Sequence, residues 1–243
     1  MKRVELYLAG EQPCSYLPDL RARMALVSPE TPMNTTLYSQ LAHQGFRRSG
    51  DAVYIPFCDE CEACIPVRLP VNSFKPNRAQ SRVWRRNSDL VALVKPLNFQ
   101  HEQRHLLFNY LRARHDETAE DSVASSYEDF LQADWVNGRL VEFRLEEKLL
   151  AVAVVDYLAD GLSAVYTFYD IDAAEARSLG IYAVLWQIEE ARRLDLAWLY
   201  LGFWVEHCRK MTYKNSYRPI DALLNGEWRR FEKGEKIAST LIQ

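Results

Sequence analysis

The 243-residue chain has no apolar run of the length that crosses a bilayer, so no membrane insertion is expected. Glu5 and Glu11 break the short apolar stretch of MKRVELYLAGEQPCSYL, so no signal peptide is expected either. The five cysteines are an odd number without a disulfide framework, which points to a reducing, cytoplasmic setting. Proline is missing between Pro96 and Pro219, which leaves that stretch free for long regular elements. There is no internal repeat or low-complexity tract, which excludes a solenoid or a linker-rich chain. His43, His101, His105, His115 and His207 show no metal-ligand spacing, and no Ser-His-Asp arrangement stands out. What is present, 48% hydrophobic and 26% charged, suits a globular chain that buries a sizeable core.

The formal net charge of −3 conceals an asymmetry. Residues 1–98 carry thirteen Lys and Arg against nine Asp and Glu, and residues 99–243 carry the acidic excess. From Asn72 to Asn87 there are five cations, Lys75, Arg78, Arg82, Arg85 and Arg86, and no acid. On a helix Arg78, Arg82, Arg85 and Arg86 share one face. Like charges stacked in this way are relieved by an anionic partner, and a nucleic-acid backbone is the reading this run favours over a solvated face.

Prolines punctuate residues 1–98 into short elements, and their absence afterwards places a boundary near Pro96-Leu97-Asn98. Patterns beyond it predict helices from about Gln100 to Arg114 and Tyr127 to Trp135. Strands follow at Leu140–Arg144, Leu149–Leu158 and Leu162–Asp170, then a helix from Leu179 to Leu194 and a strand at Trp198–Trp204. Strands, a crossover helix and a further strand describe a mixed α/β sheet. The domains expected are a basic, cysteine-containing region over 1–98 and a catalytic α/β domain over 99–243.

Three local patterns carry chemistry. Trp198–Trp204 empties into VEHCRKMTYKNSYRP, where Arg209, Lys210, Lys214 and Arg218 are interleaved with Tyr213 and Tyr217. Such a segment suits a nucleotide end or a charged substrate. Arg177-Ser-Leu-Gly180 precedes the helix and resembles the pyrophosphate loop of the Gcn5-type N-acyltransferases, where a helix N-terminus meets an anion. Tyr182, in the last place of that pattern, is expected to obstruct a pyrophosphate. Cys58-Asp-Glu-Cys61-Glu-Ala-Cys64 brings three thiols into seven residues, with Cys14 the candidate fourth ligand for zinc or an iron–sulfur cluster. Asp59, Glu60 and Glu62 oppose thiolate formation, so reduced cysteines stand as the other reading.

PCSYLPDLRARMALVSP, GFRRSGDAVYIPFCDECEACIPVRLPVNSFKPNRAQSRVWRRN, GLSAVYTFYD, SLGIYAVLWQIEEARRL and YLGFWVEHCRKMTYKNSYRP together resemble the bacterial aminoacyl-tRNA–protein transferases, over about residues 13–228. More narrowly, the chain is similar to the branch that uses leucyl-tRNA and acts on N-terminal Asp or Glu. The resemblance implies a cytoplasmic N-degron enzyme with a Gcn5-type acyltransferase fold in its C-terminal half. Its partners would be leucyl-tRNA and proteins with N-terminal Asp or Glu, and the chemistry would need no cofactor. Attack of an α-amine on an activated ester needs alignment and charge stabilisation rather than a bound nucleophile. On this reading Asp170, Tyr166 and Tyr213 are the catalytic candidates, and Arg209, Lys210, Lys214 and Arg218 the acceptor-binding ones. Lys75, Arg78, Arg82, Arg85, Arg86, Arg177 and Gly180 are the tRNA-binding ones. An arginyl donor, a coenzyme A-dependent transferase and a non-catalytic RNA-binding metal module stay open.

Overall fold

A computed structural model describes residues 4–115 and 127–237. The N-terminal strands are β1 (Leu6–Leu8), β2 (Gln12–Pro13), β3 (Arg21–Ala22), β4 (Met24–Val27), β5 (Arg47–Ser49) and β6 (Ala52–Pro56). β2 pairs with β3, and the other four form a sheet in the order β1-β4-β6-β5. The later strands are β7 (Ile65–Pro70), β8 (Val91–Pro96), β9 (Gly138–Leu145), β10 (Lys148–Tyr157), β11 (Gly161–Tyr169), β12 (Trp198–Trp204), β13 (Ile220–Leu224) and β14 (Glu227–Phe231). They form one mixed sheet in the order β14-β13-β7-β12-β11-β10-β9-β8. Helices are α1 (Thr35–His43), α2 (Arg78–Arg86), α3 (His101–His115), α4 (Ile171–Arg177) and α5 (Leu179–Arg193). A helical turn over 127–131 stands where a longer helix to Trp135 was expected.

The central strands of the eight-stranded sheet are covered on both faces, which explains the nearly continuous apolar run of β10. α5 lays Leu179, Tyr182, Ala183, Ile188 and Ala191 against one face, with Val141, Phe143, Leu162 and Leu199 opposite. α3 lays Leu107 and Leu111 on the other face, against Leu140, Val152, Val154 and Phe168. α2 is sealed at its start by a capping box: Asn77 Oδ1 accepts from Gln80 N at 2.9 Å, and Gln80 Oε1 accepts from Asn77 N at 2.8 Å.

The composition boundary at residue 98 runs through this sheet, because β7 and β8 lie before it and are hydrogen-bonded into it. β7 was hidden by its prolines, which normally exclude a central strand. Pro66 and Pro70 are tolerated because β13 pairs only with Val67 and Arg68 on the far side of β7.

One ion pair ties the N-terminal sheet to the large one. Arg48 of β5 donates from Nε and Nη2 to the two carboxylate oxygens of Asp156 on β10, both at 2.7 Å. Both side chains are fully buried. Removing one partner leaves an uncompensated interior charge. Arg48→Met is therefore expected to lower unfolding free energy by about 3–5 kcal/mol, with Arg48→Met/Asp156→Leu losing less than the single variant. Denaturant unfolding of the three proteins checks this, and a single-variant loss under about 1 kcal/mol, the scale of an exposed pair, would contradict it.

Candidate active site

β11 and β12 are the parallel pair of the large sheet among the described residues, and they stay together only through Gly161↔Trp198, Leu162↔Leu199 and Ser163↔Tyr200. Each strand then takes an extra residue. Against β10, Ala164 faces Val155 and Tyr166 faces Val154, which leaves Val165 as a bulge. Against β7, Tyr200 faces Arg68 and Gly202 faces Val67, which leaves Leu201 as a bulge. A bulge bends its strand and sharpens its twist. The β11–β12 pairing ends where these bulges begin, so the strands part toward their C-terminal ends, and the gap between Ala164 of β11 and Gly202 of β12 is where Arg47 lies.

Arg47 of β5 fills the head of this gap. Its Nη2 donates to the Ala164 carbonyl at 2.7 Å. Its Nε would lie 3.3 Å from a Cβ placed on Gly202, whose φ of +80° is itself a glycine conformation. Gly202 thus admits the guanidinium. Nη1 is buried without a hydrogen-bond partner, and among the described residues no carboxylate pairs with Arg47. Lys214 reaches in from the 3₁₀ turn Thr212–Ser216 and donates from Nζ to the Phe203 carbonyl. Burial first, and the Arg47 charge second, bring its ammonium down to about 7. Arg47 and Lys214 thus share the gap, and burial, assisted by the Arg47 charge, lets Lys214 shed its proton near neutrality.

Tyrosines line the mouth. The ring of Tyr169 packs 4.9 Å from that of Tyr110, and its hydroxyl accepts from Arg114 Nη2 at 3.1 Å. Tyr213 is 45% exposed as a residue, yet burial pushes its phenol up to about 12, against the pull of Arg47. Tyr166 is packed edge-on to Tyr110 and Phe130 on the α3 face.

The cations that follow β12 do not converge. Arg209 and Lys210 are exposed, Lys214 is buried, and Arg218 folds back to donate to the Tyr217 carbonyl and Asn215 Oδ1. The sequence groups these residues, but the turn sends their side chains in different directions. Asp170 caps α4 by accepting from Ala173 N at 3.0 Å and pairs with Lys148 at 2.7 Å. Burial would raise its carboxyl, but Lys148 and the Ala173 N–H outweigh that and hold it below the ordinary carboxylate range. A proton acceptor so weak does not favour a base role for Asp170.

Lys75, Arg78, Arg82, Arg85 and Arg86 are all exposed, along α2 and the approach to it. The end of α2 is bolted to the start of α5: Asn87 Nδ2 donates to the Arg177 carbonyl at 2.8 Å, and Arg177 pairs bidentately with Asp89 at 2.8 and 2.9 Å. Arg177 is therefore an engaged clamp rather than a free cation. Tyr182 is 5% exposed and packs edge-on to Phe143 inside the core, so it leaves the loop clear, contrary to the expectation from its position. Gly180 faces Tyr169, whose ring would stand 3.4 Å from an added Cβ. The N-terminus of α5 thus lies beside Tyr169, with the Ile181 and Tyr182 N–H groups donating to the Ser178 carbonyl.

Cys14, Cys58, Cys61 and Cys64 line one cavity of about 690 Å³. Leu17 N donates to Cys14 Sγ and Ala63 N to Cys61 Sγ, both at 3.5 Å, whereas Cys58 Sγ donates to the Arg23 carbonyl at 3.7 Å. Burial first, and then the neighbouring thiols, push Cys64 up to about 12. Among the described residues no group of three or more His, Cys, Asp or Glu is arranged to hold a metal ion, so the thiols share a cavity without forming a ligand shell.

The depressed Lys214 makes stability depend on pH. Its folded value, about 7, lies below its ordinary 10.5, so between these pH values the unfolded chain binds the extra proton and stability rises with pH. Lys214→Met is expected to compare best with the parent below pH 7 and to lose ground steadily up to pH 10. Melting temperatures across that range check this, and a pH-independent difference would contradict a buried, shifted ammonium.

A family model described as the C terminus of arginine-tRNA-protein transferase matches residues 102–224, and its N-terminus counterpart matches residues 12–82. A protein of Chromobacterium violaceum named aspartate/glutamate leucyltransferase is 46% identical over 232 residues, covering 95% of this chain and 96% of its own. One of the same name from Stutzerimonas stutzeri is 48% identical over 230 residues, covering 94% and 97%. Among solved structures, L-PGS from Bacillus licheniformis matches with a TM-score of 0.48 at 11% identity, covering 72% of this chain and 62% of its own, a likeness too loose to inform the site. With both halves matched in order and nearly full-length relatives close to half identical, the chain belongs to the arginine-tRNA–protein transferase family, beside the aspartate/glutamate leucyltransferases.

Proposed function

We propose that the protein moves leucine from leucyl-tRNA to the α-amine of an N-terminal Asp or Glu, as a cytoplasmic step that marks proteins for degradation. The names of its relatives support the donor and acceptor. The observation that carries the reading for this chain is the parted β11–β12 pair, with Arg47 and Lys214 inside it and no acid beside Arg47 among the described residues. Such a gap favours an acidic guest. α2 adds the second half of the reading, because its exposed cations run to the N-terminus of α5, which opens beside Tyr169. A tRNA acceptor end lying along α2 would bring its terminal phosphates to that helix end and its ester toward the tyrosine mouth.

The chemistry is aminolysis of an ester. The amine nitrogen forms a bond to the leucyl carbonyl carbon, the bond to the tRNA ribose oxygen breaks, the amine gives up a proton and the departing ribose oxygen takes one to become a hydroxyl. A free α-amine with pKa near 7.7–8.0 is about a tenth neutral at pH 7, so an active nucleophile is already present. Lys214, with its ammonium near 7, is a better-matched proton acceptor than the capped Asp170. Zinc or an iron–sulfur cluster at Cys14, Cys58, Cys61 and Cys64 would be an addition outside this reaction.

Transfer of labelled leucine from leucyl-tRNA to peptides beginning Asp or Glu, and none to peptides beginning Ala or Arg, is the expected outcome. Transfer from arginyl-tRNA alone would replace the donor. In a separate measurement, Arg78→Gln/Arg82→Gln should weaken tRNA binding and flatten the log–log dependence of affinity on salt by about 1.5. An unchanged slope would remove α2 from the tRNA track.

A further inference from the structure

The cations named from sequence do not form a carboxylate receptor, but a residue outside that segment does. We infer that Arg47 is the specificity-determining residue for the acceptor, taking the side-chain carboxylate of its N-terminal Asp or Glu inside the gap between β11 and β12; this rests on the acceptor proposed above. Four observations carry it.

The guanidinium is placed by construction. β5 alternates its side chains, so Arg48 turns into the molecule and is locked to Asp156, while Arg47 turns to the opposite face and into the gap. Space has been kept for it, because Gly202 holds a φ of +80° and a side chain there would press on Arg47 Nε. It is unsaturated, because Nη2 is tied to Ala164 while Nη1 is buried with no partner. Arg48 Nη1 and Arg68 Nε are also without a hydrogen-bond partner, but those two guanidiniums already have a carboxylate, Asp156 and Asp221, whereas among the described residues Arg47 has none; a carboxylate is the acceptor whose geometry matches a guanidinium. Finally, Lys214 enters the same gap and adds a second cation rather than a counter-ion. An acidic side chain brought by a substrate would supply the counter-ion that Arg47 lacks. A neutral N-terminal residue would leave the guanidinium unpaired, and the discrimination arises from that difference.

The test measures kcat/KM at saturating leucyl-tRNA for peptides identical except for an N-terminal Asp or its neutral isostere Asn. The parent enzyme, Arg47→Met, Arg47→Lys and Gly202→Ala are compared. The Asp-to-Asn ratio is taken within each protein, so it does not depend on the fraction correctly folded. The parent ratio is expected to be about tenfold or more, the scale of one charge-assisted contact. Arg47→Met should bring it close to one, and Gly202→Ala, which displaces the guanidinium without removing it, should lower it as well. KM for leucyl-tRNA should stay unchanged in the variants. Should Arg47→Met give no turnover, Arg47→Lys decides, because it keeps the charge and loses the paired N–H groups: a reduced ratio supports the assignment and a parental ratio overturns it. A parental ratio in all variants would overturn the role of Arg47 while leaving the transferase reading intact. Failure of the parent enzyme to transfer to any acidic peptide would instead overturn that reading, and this inference with it.

Discussion

The Arg48–Asp156 pair is the constraint on which the site depends. Moving two charges into a dry interior is unfavourable unless each finds the other with good geometry, and here the fork of the guanidinium meets both carboxylate oxygens. That requirement fixes β5 against β10. Because neighbouring strand residues face opposite ways, fixing Arg48 also fixes Arg47. The N-terminal sheet is therefore more than an attachment: it delivers a cation into a gap that the large sheet opens by itself.

The gap has an equally local origin. Parallel β11 and β12 hold together for three residue pairs and part where the bulges at Val165 and Leu201 begin. Two cationic side chains enter the gap between them. Arg47 and Lys214 keep it polar, and each is anchored to a backbone carbonyl of one parted strand, Ala164 on β11 and Phe203 on β12. The strands thus use the carbonyls freed by their separation to hold the two cations in place.

Much of this frame was legible in the sequence. Apolar runs and the proline-free stretch gave β9 to β12 and α5 within a few residues, since burial on both faces leaves a strong signal in β10 and α5. The exposed basic helix was legible too, because periodicity alone sets which side chains share a face. β7 was not, since Pro66 and Pro70 speak against a central strand and only the partial pairing of β13 permits one. The sites were read less well. Arg209, Lys210, Lys214 and Arg218 looked like one patch because the 3₁₀ turn that points Lys214 inward leaves no periodic trace. Arg47 left no such trace: adjacent strand residues face opposite ways, so Arg47-Arg48 implies one inward arginine, and that one is Arg48; the burial of Arg47 depends on the parting of β11 and β12, which the sequence does not display.

An acidic acceptor is read between the parted strands and not on the turn after β12. A crystal structure with a non-reactive Asp-leading peptide bound measures this most directly. The side-chain carboxylate is predicted about 3 Å from the Arg47 guanidinium nitrogens, within hydrogen-bond distance, with the peptide emerging past Tyr213. A carboxylate held instead against Arg209, Lys210 or Arg218, with Arg47 still unpaired, would contradict it.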